Sequence, residues 1–115
     1  MTSVTAPTQF LVLSEADLDK PLQVQLNGLV VVDLETNPSI GSDWRYEPLI
    51  GVPEQFELLS DAELSGKTPG SSGAHTFLFR AVRPGGGELR FQHELRGKPD
   101  GKPIQFTIKV VQPNT

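Results

Sequence analysis

Two histidines, His75 and His93, are the side chains in this sequence best suited to acid–base chemistry or metal binding. An imidazole titrates near neutral pH and can bind a metal through either ring nitrogen. However, two histidines are too few for a metal cage by themselves. The residues around His93 place it on the inward face of a strand, where a hydrogen-bonded core histidine is the favoured interpretation. His75 adjoins a glycine-rich loop, where a rim contact and a solvated side chain are equally good interpretations.

Other patterns that could support chemistry have simpler explanations. Asp33 and Glu35 are acids two residues apart, which a strand directs to the same solvent-facing side. Asp61 and Glu63 repeat this spacing, and a solubilising role accounts for both pairs. The segment 70–73 (GSSG) lacks the Lys-Ser/Thr that completes a phosphate loop, and the chain has no cysteine. We predict that the protein is not an enzyme and has no catalytic residue, no metal site and no cofactor.

The composition fits a single soluble domain. The chain has 115 residues with a net charge of −4, and 37% of the residues are hydrophobic. At this length about two-thirds of the unfolded surface is buried on folding, which is enough for a core without disulfides. The negative charge disfavours nucleic acid and anionic membranes as partners, because both select basic patches. We predict one domain over residues 1–115, a monomer, with residues 1–8 and 112–115 disordered.

The sequence carries no recognisable membrane or export signal. Its apolar segments are all much shorter than the ~20 residues that span a bilayer. Residues 1–7 lack the basic and apolar regions of a signal peptide. The compartment stays open, because the protein is either cytoplasmic or exported with its leader removed.

The elements that must position any site are strands. Eleven glycines and ten prolines interrupt long helices, and apolar residues alternate with polar ones along most of the chain. Asn27-Gly28 marks a tight turn or a bulge, and the capping box at 60–63 predicts a single helical turn. The pattern predicts an all-β antiparallel sandwich of seven to eight strands, with Trp44 in its core. The other side chains predicted to face inward are Val30, Val32, Leu34, Phe77, Phe79, Ala81, Leu89, Phe91, His93, Leu95, Ile104, Phe106, Ile108 and Val110.

Three loops rich in turn-forming residues separate these strands. In a sandwich, alternate loops emerge at the same end, so the three could form one contiguous tip. In the first of them, Pro38 fixes its own backbone and extends Asn37, while Gly41 can take a positive φ. A stiff loop on a strand scaffold is a common place for a binding surface. The first, second and third loops span residues 36–43, 66–74 and 97–103.

Two of these loops resemble the signatures of one family. Residues 37–44 (NPSIGSDW) resemble the Asn-Pro-Thr-Thr-Gly-Tyr-x-Trp motif of chagasin-like inhibitors of papain-family cysteine peptidases. Residues 70–77 (GSSGAHTF) are similar to that family's glycine-rich second loop, and residues 79–85 (FRAVRPG) to the strand and turn after it. The likeness extends over residues 10–111. It implies an immunoglobulin-like sandwich without a disulfide and a tight, reversible inhibitor.

The resemblance also implies a binding surface. Three loops at one end of such inhibitors occupy the active-site cleft of a papain-like cysteine protease and cover its catalytic cysteine. In this chain, the backbone around Pro38 would lie closest to the thiol, and Arg96 and Lys98 could pair with carboxylates on the rim. The residues expected to bind the protease are Asn37, Pro38, Ser39, Ile40, Gly41, Gly70, Ser71, Ser72, Gly73, Arg96 and Lys98.

The third loop departs from the family pattern. The family has Arg-Pro-Trp where this chain has residues 95–97 (LRG), with Pro99 two residues further on. Ser39 and Ile40 stand where the family has two threonines, and Ser42 stands where it often has tyrosine. These departures keep a second hypothesis open, that of an immunoglobulin-like module that binds a protein or a glycan and inhibits no peptidase. The sequence does not name the target peptidase or say whether it is endogenous or foreign.

Overall fold

The computed structural model describes residues 8–49, 54–64 and 72–112. Strands make up 70% of this part, which confirms the all-β prediction. Apart from Thr8 and Gln112, the termini predicted to be disordered lie outside the described residues. The two helical segments in the described part are single 3-10 turns, too short and too polar to cross a membrane. The elements are β1 (Thr8–Leu13), a 3-10 turn (Glu15–Asp17), β2 (Leu22–Thr36), a 3-10 turn (Pro38–Ile40), β3 (Ser42–Glu47), β4 (Phe56–Leu64), β5 (Gly73–Ala81), β6 (Gly85–Leu95), β7 (Lys98–Pro99) and β8 (Ile104–Val111).

The eight strands form one curled, mixed sheet with the order β3-β6-β8-β2-β5-β4. Outside this path, β1 pairs with β2 and β7 pairs with β6. Most neighbours are antiparallel, as predicted, but β2 runs parallel to both β1 and β8. Side chains alternate in the same way in both kinds of pairing, so the sequence pattern could not distinguish them.

Strand β2 changes partner at the Asn-Gly pair. Residues 22–25 pair with β8, whereas residues 29–36 pair with β5. Asn27 has a φ of 70°, and the strand continues past it, so the Asn27-Gly28 signal marks a bulge rather than a turn. A bulge increases the local twist, which lets one strand belong to both parts of the curled sheet.

The apolar core lies inside the curled sheet and confirms most of the predicted inward positions. Trp44 is 7% exposed, and the rings of Phe77 and Phe91 pack with centroids 4.9 Å apart. Three predicted inward residues are only half-buried, His93 and Leu95 at the end of β6 and Ile104 at the start of β8. Burial of each large apolar side chain stabilises the fold by about 1.5–3 kcal/mol. The buried apolar residues are Leu13, Val24, Val30, Val32, Leu34, Trp44, Phe56, Phe77, Phe79, Ala81, Leu89, Phe91, Phe106, Ile108 and Val110.

The segment 60–63 was predicted to form a helical turn, and this prediction is wrong. The segment belongs to β4, where Ser60 pairs with Leu78 and Glu63 pairs with His75 of β5. A capping box expresses only a local preference, and the ladder of hydrogen bonds to β5 outweighs it. The register of β4 also shifts between Leu58 and Ser60, which disturbs the alternation that would have indicated a strand.

Replacing Gly28 by alanine should destabilise the fold by about 1–3 kcal/mol, because the new methyl group would overpack the bulge. An ideal Cβ at this position would lie 2.8 Å from the carbonyl O of Gln25 and 2.9 Å from that of Gln9. Gly86 is the matched control, since nothing lies within 4 Å of a Cβ built there. Chemical denaturation measures both variants, and equal stabilities would contradict this account of the bulge.

Candidate functional site

The first loop is closed by hydrogen bonds to Asn37. The backbone O of Asn37 accepts hydrogen bonds from the backbone N–H of Ile40 (3.2 Å) and of Ser42 (3.0 Å). Its side-chain Oδ1 accepts another from the hydroxyl of Ser39 (2.7 Å). Asn37 therefore has a structural role at the base of the loop, and the residue is only partly accessible to solvent.

The apex of the first loop is stiff and exposed. Pro38 begins a 3-10 turn that is capped by Gly41. The φ of Gly41 is 75°, in the left-handed region, which agrees with the positive φ expected from the sequence. Asn37 has a φ of −129° and a ψ of 88°, so it lies outside the helical region, as expected before a proline, but is not fully extended. Pro38, Ser39 and Gly41 are exposed, and Ile40 is 50% exposed rather than folded onto the core. This turn presents an apolar side chain on a backbone with little freedom to rearrange.

A tight hairpin places Arg96 beside the first loop. Leu95 of β6 pairs with Lys98 of β7, and the two residues between them, Arg96 and Gly97, have φ values of 53° and 78°. Positive φ at both central residues defines the type I′ turn that suits a two-residue hairpin. The backbone N–H of Arg96 donates to the carbonyl O of Gly41 (2.9 Å), so the hairpin and the first loop are directly joined.

The second loop returns to the sheet next to the first. Gly73, the first residue of β5, pairs with Thr36, the last residue of β2 before the first loop. A Cβ on Gly73 would collide with the carbonyl O of Leu64 at the end of β4. A glycine is therefore needed at position 73 because β4 and β5 approach each other closely there. This structural requirement is separate from the prediction that Gly73 lets the loop backbone approach an enzyme. Ser72 is exposed, and the predicted contacts Gly70 and Ser71 lie outside the described residues.

His93 connects the first loop to the third. Its Nε2 lies 2.7 Å from the hydroxyl of Ser42, and its Nδ1 lies 3.0 Å from Oδ2 of Asp100. A neutral ring can accept from the serine and donate to the aspartate at the same time. This is the hydrogen-bond order of a nucleophilic triad, but Ser42 is only 9% exposed and lies at the root of the loop. The side chains of Ser42, His93 and Asp100 hold the two loops together. The sequence did not indicate the contact between Ser42 and His93, because these residues are far apart in the chain.

A buried glutamine supports the third loop from below. The side-chain amide of Gln92 donates to the carbonyl O of His93 (2.8 Å) and of Gly101 (3.1 Å). Gln92 is 5% exposed, although the alternation of β6 predicts an outward side chain. The third loop folds over this position and supplies the acceptors that a buried amide requires.

His75 connects the first loop to the strands on either side of the second. Its Nδ1 lies 2.8 Å from Oδ1 of Asp43 and 3.6 Å from Oε1 of Glu63, and its Nε2 lies 3.3 Å from Oδ2 of Asp61. The ring is 8% exposed and stacks on Phe77, with centroids 4.2 Å apart and planes 9° apart. His75 is therefore buried among acids rather than solvated. The sequence could have indicated this burial, because His75 lies two residues before the inward-facing Phe77 on the same strand.

The acids around His75 influence each other's protonation. The hydrogen bond to Asp43 and the repulsion from its charge raise the pKa of Glu63. Partial burial disfavours the charged form of Asp43, but hydrogen bonds from Glu63, His75 and the Trp44 backbone outweigh it and lower the pKa of Asp43. Asp61 and Glu63 are thus part of a polar cluster, not only solubilising residues.

Exposed loops held by a rigid sheet are an arrangement common in proteins that bind through their loops. A sequence model of the chagasin family peptidase inhibitors, family I42, matches residues 23–110. The chain belongs to this family, which confirms the resemblance seen in the sequence. No curated protein sequence matches the chain.

Solved structures of similar fold include cysteine protease inhibitors. EhICP2 from Entamoeba histolytica, a cysteine protease inhibitor, superposes with a TM-score of 0.72 at 19% identity, over 89% of this chain and 96% of its own. Amebosin gives 0.59 at 20% identity, over 94% and 100% of the two chains. PbICP-C, solved in complex with falcipain-2, gives 0.55 at 13% identity, over 98% and 96%. At these identities the likeness concerns the fold.

The hydrogen bond between Ser42 and His93 should stabilise the protein measurably. Ser42→Ala leaves the half-buried ring nitrogen of His93 without its partner, and we expect a loss of about 1 kcal/mol in the free energy of unfolding. Ser72→Ala is the matched control, because Ser72 is exposed at the edge of the second loop. Urea denaturation compares the two variants, and a Ser42→Ala protein as stable as the control would show that the contact does not hold the loops.

Proposed function

We propose that this protein is a reversible inhibitor of papain-like cysteine proteases that blocks the active-site cleft with a tip made of three loops. Membership of the chagasin family is the observation that carries the proposal. Inhibitors in this family are not enzymes, and their function requires binding rather than bond making. The partner we infer is a cysteine peptidase, by analogy with PbICP-C, which was solved in complex with falcipain-2.

The geometry of the loop roots supports a shared tip. The pair Thr36–Gly73 brings the start of the first loop next to the end of the second. The hydrogen bond from Arg96 to Gly41 brings the end of the first loop next to the β6–β7 hairpin. Three loops on a domain of this size could supply the roughly 800 Å² per partner of a standard protein interface.

Rigidity is the physical basis of the proposed inhibition. Ordering a mobile side chain on binding costs ~0.5–1.5 kcal/mol of free energy. The first loop is already closed by hydrogen bonds to Asn37, so little of this cost remains to be met when it binds. In this proposal its exposed apex at Pro38 and Ser39 enters the cleft and covers the catalytic thiol. Ile40, half-exposed in the free protein, gains apolar burial there.

The remaining predicted contacts have distinct roles in this proposal. The proposal assigns contacts in the second loop to Gly70, Ser71 and Ser72, because small residues would permit close approach of the backbone to the enzyme. Arg96 and Lys98 are exposed at the hairpin tip and can pair with carboxylates on the rim of the cleft. The hairpin lacks the family's tryptophan, so its contribution is electrostatic rather than apolar.

The missing Arg-Pro-Trp motif favours a second candidate function, an interaction module for a protein or a glycan. Such a module using a sheet edge would not need the tip. Affinity capture with intact and scrambled loops 37–41 separates the two candidates. Capture of the same protein by both forms, without inhibition of any peptidase, would favour the module.

The first loop should be the centre of binding. We expect Ser39→Arg combined with Ile40→Arg to weaken inhibition of papain at least about 100-fold, or about 2.7 kcal/mol, because two bulky charges cannot enter the cleft. The matched control is Gln23→Arg combined with Thr107→Arg, two exposed positions on β2 and β8. Inhibition constants from enzyme titration test this, with circular dichroism to verify folding. Equal inhibition by both folded variants would place the binding surface elsewhere.

Inhibition should also be fully reversible. The chain has no cysteine, and the proposed wedge forms no covalent bond. Papain activity should therefore return on extensive dilution of the complex, and mass spectrometry should find both proteins unmodified and uncleaved. Inactivation that persists after dilution, or a covalent adduct, would contradict the proposed mechanism.

A further inference from the structure

We propose that His75, Asp43 and Glu63 bind one divalent transition-metal ion of the zinc class. The three residues come from β5, β3 and β4, respectively. Nδ1 of His75 lies 2.8 Å from Asp43 Oδ1 and 3.6 Å from Glu63 Oε1, and one donor atom from each residue lies within 4.8 Å of the others. This site is separate from the proposed binding of a peptidase and does not depend on it.

The donor spacing suits a small tetrahedral ion. Zinc bonds of about 2.0–2.1 Å separate neighbouring donor atoms by roughly 3.4 Å. The separations at His75 fall on both sides of this value, so modest side-chain rotations would equalise them. The side chains of Asp43 and Glu63 are 37% and 63% exposed, which leaves them free to rotate and gives an ion a path from solvent.

The second ring nitrogen of His75 provides an independent indication. Metal-binding histidines generally donate their other N–H to a carboxylate, which fixes the tautomer and the ring orientation. Here Nε2 lies 3.3 Å from Asp61 Oδ2. In the free protein Nδ1 hydrogen-bonds to Asp43. Binding of the ion would place the ring proton on Nε2, facing Asp61, and would leave the lone pair of Nδ1 for the metal. Stacking on Phe77 holds the buried ring in this orientation.

The local charge also favours a cation. Three carboxylates, those of Asp43, Asp61 and Glu63, surround one imidazole, which carries at most a single positive charge. Within the described part of the chain, no lysine or arginine forms an ion pair with any of the three. A divalent ion would offset two of these three negative charges and reduce the repulsion between Asp43 and Glu63.

The mixture of ligands selects the kind of ion. Calcium and magnesium prefer sites made wholly of oxygen, whereas one imidazole nitrogen with two carboxylates suits zinc and its neighbours. Three protein ligands leave a fourth position for water. The expectation of no metal site rested on the presence of only two histidines, but the fold adds two carboxylates to one of them. A bound ion would cross-link β3, β4 and β5 at the roots of the first and second loops.

Calorimetric titration of the whole chain with zinc chloride, in the absence of any peptidase, tests the proposal. We expect one ion per chain, with Glu63→Gln and Asp43→Asn each weakening binding at least about tenfold. Glu63 is exposed, so its variant should keep the fold even if a change at His75 does not. Glu57→Gln is the matched control, because it removes an exposed carboxylate of the same strand β4 that pairs with Arg80 outside the cluster, and it should leave the affinity within about twofold.

Magnesium chloride supplies the second comparison, and it should bind at least about 100-fold more weakly than zinc. A zinc-dependent shift of the His75 ring resonances would locate the ion independently of affinity. The proposal would be overturned by absent binding at millimolar zinc or by equal zinc and magnesium affinities. It would also be overturned if the Glu63 and Asp43 variants bound zinc as well as the control, or if Glu57→Gln abolished binding.

Discussion

The change of partner along β2, from β8 to β5, is the constraint on which the rest of the structure depends. The first part of β2 pairs with β8 and its second part with β5, and the bulge at Asn27 makes this change of partner possible. The strand ends at Thr36, opposite Gly73, and leads directly into the first loop. The start of the first loop at Thr36 and the return of the second at Gly73 are therefore set by the hydrogen-bond ladder of the core.

Two consecutive residues then connect the loops without a disulfide. Ser42 and Asp43 point to opposite sides of β3, as strand neighbours must. Ser42 meets His93 beside the third loop, and Asp43 meets His75 beside the second. Both histidines of the chain are used in this way. Side-chain hydrogen bonds thus give the loop roots the rigidity that a binding wedge requires, and an ion at His75 would strengthen one of these connections.

The sequence by itself determined the features that depend on local chain chemistry. Alternation identified the buried faces of β5, β6 and β8, because side chains in any strand alternate with a period of two. The proline and glycine of the first loop determined its shape. The ring of Pro38 sets its φ, and Gly41 can adopt a positive φ because it has no Cβ. The family could be recognised from the same loop, because its motif is contiguous in sequence.

The tertiary structure alone decided which segments are neighbours. The capping box at 60–63 gave way to pairing with β5, because a ladder of hydrogen bonds outweighs a local preference. The parallel pairings of β2 could not be inferred from alternation. His93 and Ser42 are 51 residues apart, and His75 and Asp43 are 32 apart, so no local pattern links them. The sequence specified stiff loops and a buried face, and only the folded sheet decided what those loops and histidines would touch, because such contacts arise from long-range packing.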